Sequence, residues 1–131
     1  MIHVKIITPL GLYTEQDVEA IHVKTVEGET TLLRDHIPLV AMLETCKLQL
    51  KEHGAYQDYA LAGGMLHLQD NQANILTDAI EGKAEIDLER AERARQRAER
   101  RLEKKDSKTN MKRAEIALAK AINRIHVYGK Y

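Results

Sequence analysis

The sequence has no tryptophan, no phenylalanine and one cysteine, Cys46. A core without those large rings must rest on Ile, Leu, Val and the five tyrosines. A single cysteine excludes an internal disulfide and a thiolate metal cluster, and it fits a reducing compartment. No uncharged apolar run approaches the roughly 20 residues a membrane-spanning helix needs. The first residues, Ile2-His3-Val4-Lys5-Ile6, alternate like a strand and lack the basic and apolar regions of a secretory signal. Membrane association is therefore predicted only through a partner. The six histidines (His3, His22, His36, His53, His67, His126) lie far apart without metal-ligand spacing. Gly63-Gly64 lacks the Lys-Ser/Thr of a phosphate loop and reads as a turn. With no convergent nucleophile, base or metal set, an independent enzyme is the least favoured class.

Glycine and proline are also absent in one long stretch, from Lys83 to Tyr128. There Ala, Arg, Glu, Lys, Leu and Ile recur with apolar residues every three or four positions, which predicts amphipathic helix. Before it, short alternating runs are separated by turns. Ile2, Val4 and Ile6 share a strand face, and Thr8-Pro9-Leu10-Gly11 reads as a turn. Val18 and Ala20 are in phase while Ile21 and Val23 are shifted, which a bulge near Ala20-Ile21 reconciles. Further strands are expected at Thr30–Leu33, Cys46–Lys51, Tyr56–Ala62, Met65–Gln69 and Ala73–Thr77, and Ile37–Leu43, broken by Pro38, reads as a buried strand in preference to a short helical turn. Many short strands at this spacing predict an antiparallel sandwich or barrel. At 131 residues the chain has room for one ordinary domain plus an appendage. Charge divides with structure: residues 1–82 hold 5 Lys and Arg against 12 Asp and Glu, and residues 83–131 hold 15 against 8. The expected units are a β-sandwich over 1–85 and a helical hairpin over 86–131.

In the second unit Asp87 is the predicted N-cap, its carboxylate taking a free backbone N–H at the positive end of the helix dipole. Leu88, Ala91, Ala94, Ala98 and Leu102 form a narrow stripe, and Met111, Ala114, Leu118, Ala121, Ile122 and Ile125 form a second. Lys105–Asn110 is a polar link, so the helices should fold back antiparallel. An alanine-rich seam buries little apolar area and opens readily. Straightened as helix, the roughly 42 residues from Asp87 to Tyr128 would reach about 60 Å. A link centred near Ser107 would place Arg90 beside Arg124 and Ala94 beside Lys120, with Arg97 two turns beyond Arg90. Such a cluster of cations suits an anion, and guanidinium forks fit phosphate oxygens. The opposing reading is a solvated face whose arginines pair with Glu89, Glu92 or Glu99.

Three segments carry a family resemblance. Gly28-Glu29-Thr30-Thr31-Leu32-Leu33-Arg34-Asp35-His36-Ile37-Pro38-Leu39 resembles the glycine-to-His-x-Pro-Leu segment of the epsilon subunits of bacterial F-type ATP synthases. Leu61-Ala62-Gly63-Gly64-Met65-Leu66-His67-Leu68-Gln69-Asp70-Asn71 is similar to that family's Gly-Gly strand pair, and Ile86-Asp87-Leu88-Glu89-Arg90-Ala91 to its Ile/Leu-Asp-x-x-Arg-Ala motif. Arg34-Asp35 stands where the family more usually has Pro-Gly. The resemblance implies an N-terminal antiparallel β-sandwich followed by a C-terminal two-helix antiparallel hairpin. It implies a non-catalytic rotor component that couples proton flow to ATP synthesis at the cytoplasmic face of the bacterial membrane. Its implied partners are the gamma subunit and c-ring through the sandwich, and the alpha/beta catalytic head through the helical arm, with no nucleic acid. It also implies ATP as a regulatory ligand, leaving magnesium open, at Glu81, Ile86, Asp87, Arg90, Ala91, Arg97, Lys120 and Arg124. Lys120 stands where close relatives carry arginine, and loses the bidentate fork. The competing expectation is a nucleic-acid-binding module built on the basic helices, opposed by the scarcity of stacking aromatics and by the acidic first unit.

Overall fold

The computed structural model describes the backbone of residues 1–104 and 108–129, and the side chains of these except 108 and 109. Two compact units divide between Lys83 and Ala84, where Lys83–Glu85 coils as a short 3-10 turn.

The first unit holds β1 (Ile2–Thr8), β2 (Gly11–Val18), β3 (Ala20–Thr25), β4 (Gly28–Leu33), β5 (Leu39–Glu52), β6 (Ala55–Gln69), β7 (Gln72–Leu76) and β8 (Ile80–Gly82). Their neighbour order is β2-β1-β7-β6-β5-β3-β4, with β8 on β6. All pairs are antiparallel except β1 with β7. The sheet folds into a β-sandwich because alternate residues are apolar: Ile2, Val4 and Ile6 on β1 are fully buried, as are Leu48 and Leu50 on β5 and Leu66 on β6. Tyr13 and Tyr59 close one side of this core edge to face, and the Tyr13 hydroxyl accepts from the Gly82 N–H at 3.1 Å.

Three expectations are corrected here. Gly63-Gly64 is not a turn: both lie inside the 15-residue β6, which pairs with β5 from Leu39↔Leu68 to Glu52↔Ala55. Their φ angles of 83° and 134° bend the ribbon. A Cβ on Gly64 would lie 2.0 Å from the Leu76 carbonyl oxygen, so close backbone approach is what these glycines serve. Second, the phase change near Ala20 is a strand break and not a bulge. Val18 pairs with Ile2 of β1, and Ala20 with Leu33 of β4 and Lys51 of β5. Third, Cys46–Lys51 is not a separate strand from the run before it; β5 is continuous from Leu39.

The second unit contains α1 (Leu88–Lys104) and α2 (Lys108–Tyr128), packed against each other. The expected link Lys105–Asn110 is shorter at its far end, since Lys108–Asn110 are already helical; 105–107 lie outside the described residues. The seam is made by Ala91 and Ala98 on α1 and Ala114, Ala121 and Ile125 on α2, all buried. Ile122 leaves the predicted stripe and is 49% exposed. One residue past Ala121, it is rotated off the seam by the helical period.

Candidate functional site

Asp87 caps α1 as expected: its Oδ1 accepts from the Arg90 backbone N–H at 3.1 Å, and its carbonyl accepts from the Ala91 N–H at 3.0 Å. The cap consumes Arg90's amide and leaves its guanidinium exposed. Arg97, two turns on, is exposed on the same helix side, whereas Lys120 and Arg124 on α2 are half-buried. Ile86 and Ala91 are buried. Only Asp87, Arg90 and Ala91 are joined by those bonds, and these are backbone cap bonds. Glu81 belongs to the other unit, on β8 opposite Ala60. The basic character of α1 is carried outward by Arg90, Arg93, Arg97, Arg100 and Arg101, all exposed; half-buried Arg95 meets Glu99 at 3.7 Å.

Arg34-Asp35 folds as the family's Pro-Gly would allow. Asp35 takes a φ of 64°, a left-handed value that glycine adopts freely and aspartate tolerates. It is held there by Asn71, itself at φ 60°. The Asp35 N–H donates to Asn71 Oδ1 at 2.7 Å, and Asn71 Nδ2 donates to Asp35 Oδ1 at 3.0 Å. This double bond between loops presents Ile37, 75% exposed.

A surface invisible to sequence reading lies on the outer face of the sandwich. Leu12 of β2 pairs with Ile7 of β1, Ile7 with Leu76 of β7, Leu76 with Met65 of β6, and Met65 with Met42 of β5. Paired residues point to the same face, so these residues make one apolar row about 19 Å long at ordinary strand spacing. Leu12, Leu76, Met65 and Met42 are 57%, 43%, 36% and 56% exposed, too much for core. Beside it a cleft is lined by Ile7, Pro9, Gly64, Leu76 and Asp78. The next row, Glu15, Lys5, Asn74 and His67, is polar. An apolar strip with a polar rim is the surface of a docking site. The signal was in the sequence as outward apolar residues, but register alone aligns positions 12, 7, 76, 65 and 42.

Cys46 is buried, and burial pushes its thiol above the ordinary value, so it is no nucleophile at neutral pH. Among the described residues no group of three or more His, Cys, Asp or Glu is arranged to hold a metal, and no helix is long and apolar enough to cross a membrane.

Residues 1–83 match the family model for the β-sandwich domain of the ATP synthase delta/epsilon chain, and residues 84–129 match that for its long α-helix domain. The chain is 42% identical over 130 residues to the ATP synthase epsilon chain of Halalkalibacterium halodurans, covering 98% of both. It is 40% identical over 128 residues to that of Bacillus velezensis, covering 98% of this chain and 97% of the relative. Among solved structures, it is similar to a chain of the Euglena gracilis mitochondrial ATP synthase OSCP/F1/c-ring assembly, with a TM-score of 0.79 and 26% identity over 90% of this chain and 75% of the other. A chain of the Tetrahymena thermophila central stalk and c-ring shares the fold, with a TM-score of 0.59 and 16% identity over 98% and 94% of the two chains.

Proposed function

The chain belongs to the ATP synthase delta/epsilon family, among the epsilon chains, non-catalytic subunits of the F-type central stalk, and from that premise we propose that its sandwich seats it on the gamma subunit and c-ring while its hairpin is an ATP-responsive brake on hydrolysis. The observation that carries the docking half is the apolar row from Leu12 to Met42. Desolvating such a strip stabilises a complex by about 25 cal/mol for each Å² of apolar area. Membrane association then comes through the rotor, at the cytoplasmic face. The test is the double variant Met42→Glu, Met65→Glu. Both side chains are outward, so folding by circular dichroism should be retained while co-assembly with gamma is lost. A normally assembled, proton-coupled complex would overturn the reading.

The brake is supported by the thin alanine seam and the outward cations of α1. An arm that leaves the hairpin carries basic residues towards the catalytic head. ATP held by Arg90, Arg97, Lys120 and Arg124, with Ile86, Asp87 and Ala91 framing it, stabilises the folded hairpin by RT ln(1 + [L]/Kd), roughly 2.7 kcal/mol at a hundredfold excess. Calorimetric titration of the full chain with ATP, with and without Mg²⁺, checks this. Arg90→Ala is the cleaner variant, because the cap uses its backbone and survives. Binding should weaken markedly in Arg90→Ala and be at least as tight in Lys120→Arg. Undiminished binding in Arg90→Ala moves the site elsewhere. Removing residues 87–131 should raise hydrolysis by the assembled complex.

A further inference from the structure

We propose that His3 is an imidazolium clamp that fastens the edge strand β2 to the sandwich, and that the strand loosens when the ring gives up its proton. β2 stands at the end of the strand order and is paired only with β1. On the outer face of that pair, His3 lies opposite Asp17 and Lys5 opposite Glu15. The ring reaches both carboxylates, Nδ1 lying 2.8 Å from Asp17 Oδ1 and Nε2 2.7 Å from Glu15 Oε2. Ionised carboxylates only accept, and a neutral imidazole has one N–H to donate. Two such bonds at once require both ring nitrogens to be protonated. The alternative of Glu15 donating to a neutral ring needs a proton on an acid that its hydrogen bond to His3 holds below its ordinary range.

The surroundings favour the cation. From β2 the ring meets the two carboxylates. On β1 the other charges are Lys5, whose Nζ is 3.7 Å from Glu15 Oε2, and the amino group of Met1. β7 contributes the uncharged Gln72 and Asn74, and beyond them lie His67 of β6, opposite Asn74, and Asp70 in the turn before β7, next to Asn71, whose carbonyl accepts the His3 backbone N–H at 2.8 Å. On the inner face of β2 the anchor is Tyr13, packed edge to face on Tyr59 and accepting from the Gly82 N–H, away from the His3 end of the strand. Gln16, opposite Val4, buries its Nε2 with no hydrogen-bond acceptor among the described residues.

Hydrogen bonds donated to Glu15 and then to Asp17 raise the His3 pKa above 6.5. A raised folded-state value means the clamp is complete below 6.5 and is lost as pH rises through the raised value. Glu15 behaves oppositely: its folded pKa is lowered from 4.5, so its share is present above 4.5 and lost as pH falls through the lowered value. β2 is therefore held best between those two limits.

Long-range proton–nitrogen NMR spectra of the full chain read the ring directly. At pH 7 both His3 nitrogens should carry protons, with a titration midpoint above that of a histidine peptide. Amide protection factors on β2, corrected for intrinsic exchange, should fall severalfold relative to β5 and β6 across that midpoint. His3→Gln should leave β2 protection low and free of this step. A singly protonated ring at pH 7, or β2 protection that tracks β5 and β6 through the titration, overturns the proposal. Glu15→Gln with Asp17→Asn, both outward, supplies a second arm: the His3 midpoint must drop toward the peptide value, and an unmoved midpoint also overturns it.

Discussion

The sandwich and the hairpin bury their apolar stripes with different residues, and stability follows from that difference. In the sandwich the fully buried side chains include Ile2, Ile6, Ile21, Leu48, Leu61, Leu68 and Ile75. Burial of each is worth about 1.5–3 kcal/mol. In the hairpin the seam rests on Ala91, Ala98, Ala114 and Ala121, with Ile125 towards one end. Small side chains let helix axes approach closely but take little area from water. The acidic unit is thus stably cored and the basic unit weakly sealed, although the hairpin's helices are its longest regular elements, at 17 and 21 residues. Length of secondary structure is no measure of how firmly it is held.

The sharpest way to break this contrast is Gly64→Ala. The added methyl would meet the Leu76 carbonyl at 2.0 Å and also need a φ of 134°. A loss of about 4 kcal/mol or more is expected, read as collapse of the sandwich's thermal transition while helical ellipticity survives. Leu48→Ala should cost about 2–5 kcal/mol in denaturant unfolding. By contrast Ala98→Gly should cost about 1 kcal/mol, and only in the helical signal. Equal losses would mean that the seam is as strong as the core. Asp87→Ala should remove about 1 kcal/mol from the hairpin through loss of the cap, with Asp87→Asn retaining most of it. The smallest effect belongs to a chain ending at Glu85, whose sandwich should unfold at nearly the parent midpoint. A drop of many degrees would show that the first unit depends on the second.

Much of this was legible in local pattern. Alternation at Ile2, Val4 and Ile6 placed β1, the glycine-free stretch placed the helices, and Asp87 followed by Leu88 placed the cap. The turns at His53-Gly54 and Asp70-Asn71 carried their own left-handed residues. What escaped depended on remote backbone. Gly63-Gly64 looks like a turn until the Leu76 carbonyl is known to press on it. The break after Val18 mimics a bulge because both readings shift phase by one residue. Among the candidate nucleotide residues, the motif around Asp87 was readable because its bonds span three and four positions. The positions of Lys120 and Arg124 depend on a link whose central residues no local pattern fixes. The apolar row and the His3 clamp are products of register, joining residues up to 69 positions apart along neighbouring strands.

The ribbon of β5 and β6 gives the sandwich a mechanical property. Its strands, 14 and 15 residues long, each run about 45–50 Å at the usual rise, passing through the glycine bend without a chain break. β7 grips the far half of β6 and β8 the near half. A push at one end is therefore carried along covalent backbone, with the cross-strand hydrogen bonds loaded together in shear rather than unzipped one by one. A part built this way deflects as a single stiff leaf spring, its bend set where two residues without side chains let the Leu76 backbone press close.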